Sequence, residues 1–410
     1  MEVKFYFVRH GKTLFNQMGR MQGWCDSPLL QEGINQAKNV ASALRDVPFT
    51  KAYSSSSQRA WDTAKLICQY HDIPLILTKG LKEYSFGQLD GAYKDEVINS
   101  PFMDDWSALG GETNESFAQR VKNTMQDIIR ESHDQDTILL VGHGAYAVRI
   151  LSILFGMDLD EYVLRRQREG RMLMPNTGII TFHYKDGEYY LDHEPMDVNE
   201  YRREFHPKTL DVYFMRHGQT VFNVQERIQG RCDSPLTQKG IEDAIEAAKN
   251  FKDIPLSTIY VSTSERARDT ADIFRQYHPG NIVYTDKICE VNYGRHEGLR
   301  FDEVEDTFQR YYSTHYGDVG GEEYADVAER IHEIFYEVYD SHQDGDTVMF
   351  VSHGDFYLVI LEELFHDKKA EIFTRAQQMG VNPVPNCGVA HFQMSSDGYK
   401  LIHEMQIVEK

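Results

Sequence analysis

Arg9-His10-Gly11 sets a guanidinium beside an imidazole, with a glycine directly after. A neutral imidazole is a nucleophile that can take a phosphoryl group onto nitrogen. A guanidinium supplies planar, permanently charged donors that match phosphate oxygens. Arg59 offers the same chemistry. Together the two positive charges should hold His10 below its ordinary pKa and keep it unprotonated. Gly11 reads as the place where backbone approaches a phosphate closely. Phosphoryl transfer builds charge on the equatorial oxygens of the moving group, so its catalysis is mostly positioning and electrostatic stabilisation. The trio returns as Arg216-His217-Gly218, with Arg266 in the part of Arg59.

The recurrence extends along the whole chain. An offset of 207 relates His10 to His217, Asn16 to Asn223, Gln22-Gly23 to Gln229-Gly230, Cys25 to Cys232, Arg59 to Arg266 and Glu83 to Glu290. Farther on it becomes 210, relating Gly110-Gly111-Glu112 to Gly320-Gly321-Glu322, His143 to His353 and Asn176 to Asn386. The second copy therefore carries three extra residues between Glu290 and Gly320. A period this long means a duplicated domain, not a solenoid. The stretch Glu194 to Leu210 is polar, holds Pro195 and Pro207, and shows no periodic pattern. The domains read as residues 1–200 and 201–410, joined by a linker at 194–210.

Elements that could position these residues follow from the apolar pattern. Val3 to Val8 is a continuous run, as in a strand buried on both faces, and Thr137 to Val141 is a second. Gln31 to Leu44 brings Ile34, Ala37, Ala41 and Leu44 to one helical face, and Asn114 to Glu131 does so with Phe117, Val121 and Ile128. Ala145 to Phe155 reads as a helix following the second strand. This order predicts two tandem three-layer α/β/α domains, each with a mostly parallel sheet flanked by helices. In such sheets ligands bind at the carboxyl ends of the strands. Arg9-His10-Gly11 and Gly142-His143-Gly144 both lie just past a strand, so they can converge.

Arg9-His10-Gly11-x-Thr13-x-x-Asn16, with its copy, resembles the motif of the histidine phosphatase superfamily, the phosphoglycerate mutase-like family. The resemblance covers nearly the whole chain, once per half. It implies that His10 forms a covalent phosphohistidine and that His143 donates a hydrogen bond to the transferred group. It makes Asn16 a further phosphate contact. Glu83 would be the acid that protonates the leaving alkoxide and then deprotonates the attacking water. Arg216, His217, Asn223, Arg266, Glu290 and His353 carry the same roles in the second half. Gln22-Gly23 and Gln229-Gly230 either touch the phosphate or form an ordinary turn. Cys25 and Cys232 also recur, and packing accounts for them better than reactivity.

A rival reading joins His10, Glu83 and His143 as a two-histidine, one-carboxylate metal site. Arg9 and Arg59 would repel a divalent cation, whereas a phosphate dianion attracts them. Neither a metal nor an organic cofactor is therefore expected. The net charge of −21 (43 Lys and Arg against 64 Asp and Glu) argues against nucleic acid and acidic membrane surfaces as partners. Small phosphorylated metabolites remain, because a pocket can be locally basic. Five cysteines without a CxxC pair fit free thiols in a reducing cytosol, and no run of 18 apolar residues occurs. A cytoplasmic protein is expected, either a monomer with pseudo-two-fold pairing of its halves or a homo-oligomer.

Within the family, mutases carry an extra insertion that caps the site. Only 60 positions separate Glu83 from His143, and a long helix takes many of them. Phosphomonoester hydrolysis at two sites is therefore the expected activity. A cofactor-dependent mutase is the alternative, and one active half with a binding copy is a second. Around the sites the halves differ. Arg165, Arg166, Arg168 and Arg171 precede Asn176, whereas the second copy keeps only Arg375. After the acid, Arg295 and His296 replace Gln88 and Leu89. These differences would be solvated helix ends or a sign of divergent substrates.

Overall fold

The computed structural model describes residues 1–93, 105–278 and 280–406. The chain separates into two compact units, Met1–Phe205 and His206–Lys410. The first runs β1 (Glu2–Arg9), α1 (Leu14–Gln17), α2 (Gln31–Ala43), β2 (Lys51–Ser55), α3 (Gln58–Cys68), β3 (Leu75–Thr78), α4 (Asn114–Arg130), β4 (Thr137–Gly142), α5 (Gly144–Phe155), α6 (Leu159–Arg168), β5 (Ile179–Lys185), β6 (Glu188–Met196) and α7 (Val198–Phe205). The second runs β7 (Thr209–Arg216), α8 (Val221–Val224), α9 (Gln238–Asn250), β8 (Thr258–Ser262), α10 (Glu265–Arg275), β9 (Asn281–Thr285), α11 (Thr307–Ser313), α12 (Tyr324–Ser341), β10 (Thr347–Ser352), α13 (Gly354–Phe365), α14 (Lys369–Met379), β11 (Val389–Ser395) and β12 (Gly398–Gln406).

Among the described residues each unit holds one six-stranded sheet, in the orders β3-β2-β4-β1-β5-β6 and β9-β8-β10-β7-β11-β12. In the first unit β3, β2, β4 and β1 are parallel, and β5 and β6 close one edge as an antiparallel pair. The sheet is thus mixed with a parallel majority. Side chains alternate along β1. Val3, Phe5 and Phe7 pack with Phe117, Val121 and Tyr146 under α4 and α5, while Val8 packs with Val40, Ala41, Ala60 and Ala64 under α2 and α3. Both faces are covered, so each unit is an α/β/α domain.

The expected elements appear with ends shifted by no more than one residue. The stretch 194–210 differs from its reading as an unpatterned linker. It contains the end of β6, all of α7 and the start of β7. Helix α7 has eight residues and buries Val198, Tyr201 and Arg202. Arg202 donates to the Asn39 side chain at 2.7 Å, and Glu200 pairs with Arg171. Two turns are too few for a helical period to stand out in sequence. Residues 94–104, part of the interval expected to hold little of a cap, lie outside the described residues. Among the described residues no helix is long and apolar enough to cross a membrane.

Candidate active site

Parallel pairing of β1 with β4 sets Arg9 opposite Gly142, so the next residues, His10 and His143, leave the sheet side by side. Their ring centroids are 5.3 Å apart. His217 and His353 follow Arg216 and Ser352 in the same register, 5.2 Å apart. All four imidazoles are buried.

The His10 ring is held in one tautomer. Nδ1 lies 2.7 Å from the carbonyl of Gly11. A carbonyl only accepts, so Nδ1 carries the proton and Nε2 keeps its lone pair. Arg59 Nε donates to that lone pair at 3.3 Å. The remaining Arg59 donors go to the carbonyls of Gln22, Gly23 and Cys25 and to Asp26. The second unit repeats the arrangement, with Nδ1 of His217 at 2.8 Å from the Gly218 carbonyl and Arg266 Nε at 3.2 Å from Nε2. Burial, then Arg59 and Arg9, hold the His10 pKa well below 6.5, and burial, Arg266 and Arg216 do so for His217. Both rings are neutral at physiological pH.

His143 Nε2 lies 2.7 Å from Ser55 Oγ, whereas its Nδ1 is buried without a hydrogen-bond partner among the described residues. His353 bonds Ser262 in the same way, and its Nδ1 also meets Arg266 Nη2 at 3.0 Å. Burial comes first in holding both rings well below the ordinary imidazole pKa.

Glu83 sits at the N-terminus of α5. Its Oε1 accepts from the N–H groups of Tyr84 and Tyr146, and its Oε2 from that of Ala145. These bonds and Arg59 favour the carboxylate, but burial outweighs them and raises the pKa above the ordinary carboxyl value. Glu290 sits likewise on Val291, Asp355 and Phe356, and is raised by burial and then by Asp355.

Asn16 Oδ1 accepts from the Thr13 N–H and from Asn176 Nδ2, which leaves the Asn16 amide nitrogen able to donate elsewhere. Arg216, His217, Asn223, Gln229 and Glu290 line one cavity of about 290 Å³ in the second unit. Arg266 and His353 both adjoin His217. The carbonyls of Gly23 and Gly230 accept from Arg59 and Arg266 and so help to hold those guanidinium groups in place. Gln22 braces the loop, taking the Thr13 hydroxyl and donating to Ser27. Gln229 makes the equivalent bonds while also lining the cavity. Gly11 is explained by packing. A Cβ there would stand 2.2 Å from the carbonyl oxygen of Gly33.

Three of the four arginines ahead of Asn176 are committed elsewhere. Arg165 pairs with Glu194, Arg171 with Glu200, and buried Arg166 donates to the Pro195 carbonyl. These three are pinned to β6 and α7. His296, by contrast, lines the second cavity.

Sequence reasoning did not single out Ser55, Asn176, Arg120 or Glu112 as parts of the site. Arg120 donates to the carbonyls of Gly80, Lys82 and Glu83 and pairs with Glu112, which fixes the strand of chain that carries Glu83. Arg330 and Glu322 repeat this under Glu290. Recurrence at the 210 offset was the available signal for Glu112 and Asn176, and for Arg120.

Two histidines at adjacent strand ends, flanked by arginines and a buried carboxyl, define a phosphate-handling α/β enzyme fold. The chain belongs to the histidine phosphatase superfamily (branch 1), whose profile matches residues 5–194 and again 212–404. The probable phosphoglycerate mutase GpmB of Escherichia fergusonii is 34% identical over 151 residues, 35% of this chain and 70% of that protein. The solved phosphoglycerate mutase of Bacillus anthracis is 27% identical, covering 49% of this chain and 96% of its own, with a TM-score of 0.41. The phosphoserine phosphatase of Entamoeba histolytica, solved with 3-phosphoglyceric acid, is 27% identical over 47% of this chain and 97% of its own, with a TM-score of 0.41. Among the described residues no group of three or more His, Cys, Asp or Glu could hold a metal ion.

Proposed function

We propose that each half hydrolyses small phosphomonoesters through a covalent phosphohistidine and without a metal. The observation that carries this reading is the presentation of Nε2 on His10 and His217. Each ring is locked by its own glycine carbonyl and points its lone pair at an arginine Nε.

Nε2 of His10 attacks phosphorus and the ester P–O bond breaks. Glu83 gives its proton to the departing alkoxide. Arg59 Nε–H, having lost the lone pair as its acceptor, turns to a phosphoryl oxygen. Arg9, and the Nδ1 edge of His143, take the others. Ionised Glu83 then removes a proton from water, which attacks phosphorus. The N–P bond breaks and inorganic phosphate leaves with His10 restored. His217, Glu290, Arg216 and Arg266 perform the same steps; His353, whose Nδ1 accepts from Arg266 Nη2, has to exchange that bond for a proton on Nδ1 before it can serve as His143 does.

Trapping tests this. Acid-labile, alkali-stable label should appear on protein exposed to a radiolabelled phosphomonoester, at His10 and His217 alone. Label that persists in the double His10→Ala/His217→Ala chain would sink the proposal. Chelator should leave turnover unchanged. The mutase alternative draws on the name of the Escherichia fergusonii relative. Interconversion of 3- and 2-phosphoglycerate faster than phosphate release would favour it.

A further inference from the structure

The two halves agree around their histidines and differ at one buried ion pair. In the second half Asp355, on the first turn of α13, is 3% exposed, and Lys369, the first residue of α14, is 1% exposed. Lys369 Nζ donates to Asp355 Oδ1 at 2.5 Å, to Thr314 Oγ1 at 2.6 Å and to the Tyr311 carbonyl at 3.2 Å. Tyr293 donates to the other Asp355 oxygen at 2.9 Å. The backbone N–H of Asp355 donates to Glu290 Oε2 at 3.1 Å. At the equivalent positions the first half has Ala145, Leu159 and Phe86.

Folding does not explain the pair. Removing two charges from water is costly, and a well-packed apolar pair is often as stable or more so. The first half builds the same two helices with Ala145 and Leu159. A lysine in the first turn of a helix also faces the positive end of the helix dipole. What the pair touches is the site. On one side is Glu290. On the other is the end of α11, whose Tyr311 lines the cavity together with Tyr293 and Tyr316.

We propose that Asp355 and Lys369 are positioning residues of the second site, tying the 307–316 segment over its cavity and setting a second carboxylate beside Glu290, so that this site works to higher pH than the first. The proposal rests on the hydrolase reading above.

The charges facing the two acids otherwise match. Arg216 and Arg266 face Glu290, and Arg330 donates to its carbonyl. Arg9, Arg59 and Arg120 do the same for Glu83. Tyr293, Tyr311 and Tyr316 also face Glu290, and burial pushes all three phenols up, so they are uncharged at neutral pH. Lys369 spends its three N–H groups on Asp355, Thr314 and Tyr311, so it meets Glu290 only through Asp355. Of the ion pair, Asp355 is the member bonded to Glu290, and its like charge, offset in part by Lys369, favours the protonated acid.

The test uses the full chain. His10→Ala leaves the second site and His217→Ala the first. Phosphate release from glycerol phosphate, whose alkoxide needs a proton, is followed against pH for both. The alkaline limb of the His10→Ala chain should lie about one pH unit or more above that of the His217→Ala chain. Adding Asp355→Ala with Lys369→Leu, which copies Ala145 and Leu159, should bring it down to the first site's position. Asp355→Asn, which keeps the volume and the neighbours, should move it the same way. Unmoved limbs in folded variants, verified by circular dichroism, would overturn the proposal while release that requires His217 leaves the hydrolase reading standing. No release from the wild-type chain would overturn the hydrolase reading and this proposal with it.

Discussion

Arg59 Nε donates to His10 Nε2 at 3.3 Å, and Arg266 Nε to His217 Nε2 at 3.2 Å. Each nucleophile thus has its lone pair held by a cation, and protonating it would set two positive charges in contact. His10, His143, His217 and His353 all lie well below 6.5. In ¹⁵N spectra these four rings should keep their neutral signature as pH falls through 6.5.

The same shift links stability to pH. Below 6.5 the unfolded chain binds protons that the four buried rings refuse, so unfolding is favoured as pH falls. Each ring costs about 1.4 kcal/mol per pH unit until it accepts its proton. Glu83 and Glu290 work in the opposite sense, since a raised carboxyl loses stability as pH rises above its ordinary value of 4.5. With His71, His278 and His296 also lowered and Asp269 and Glu362 also raised, seven rings outnumber four carboxyls, so urea midpoints measured from neutral pH downward should fall steadily. A flat profile across that window would contradict the neutral assignment.

His10→Ala and His217→Ala should each leave the activity of the other half. The double variant should lose roughly a thousandfold or more, as expected when a covalent nucleophile is removed. Steady-state phosphate release on three purified chains decides it. Complete loss from either single change would mean one working site.

Glu83→Gln and Glu290→Gln keep volume and remove the transferable proton. Each should slow its site about 10²–10⁴-fold on an alkyl phosphate. The loss should shrink for p-nitrophenyl phosphate, whose leaving group needs no acid. Equal losses on both substrates, measured in the matching single-site chains, would assign the carboxyl a structural part only.

Gly11→Ala forces a Cβ to 2.2 Å from the Gly33 carbonyl, both on backbone that cannot swing away. It should destabilise the first unit by about 1–3 kcal/mol and displace His10. Gly218→Ala meets the Gly240 carbonyl at 2.7 Å and should cost less. Thermal unfolding of the two variants, each compared with wild type, gives the order.

Much of this protein is written locally. A motif such as Arg9 to Asn16 keeps its meaning wherever it sits, because strand end, nucleophile and capping Thr13 all lie within one short segment. Internal duplication then supplied a second reading of each residue, which is how isolated positions such as Glu83 and Arg59 could be picked out. Continuous apolar runs announced β1 and β4, and with them the meeting of His10 with His143.

Tertiary structure decided what depends on distant partners. The duty of Gln22 and Gly23 follows from Thr13, Ser27 and Arg59, and that of Arg165 and Arg171 from Glu194 and Glu200. None of these pairings is visible from residue type, because a side chain's role is set by which acceptor burial brings within reach. Asp355 and Lys369 are the sharpest case. In the sequence they are two charges on separate helices, and only the packing of α13 against α14 removes water from between them, at a place where the Asp355 backbone N–H also holds Glu290.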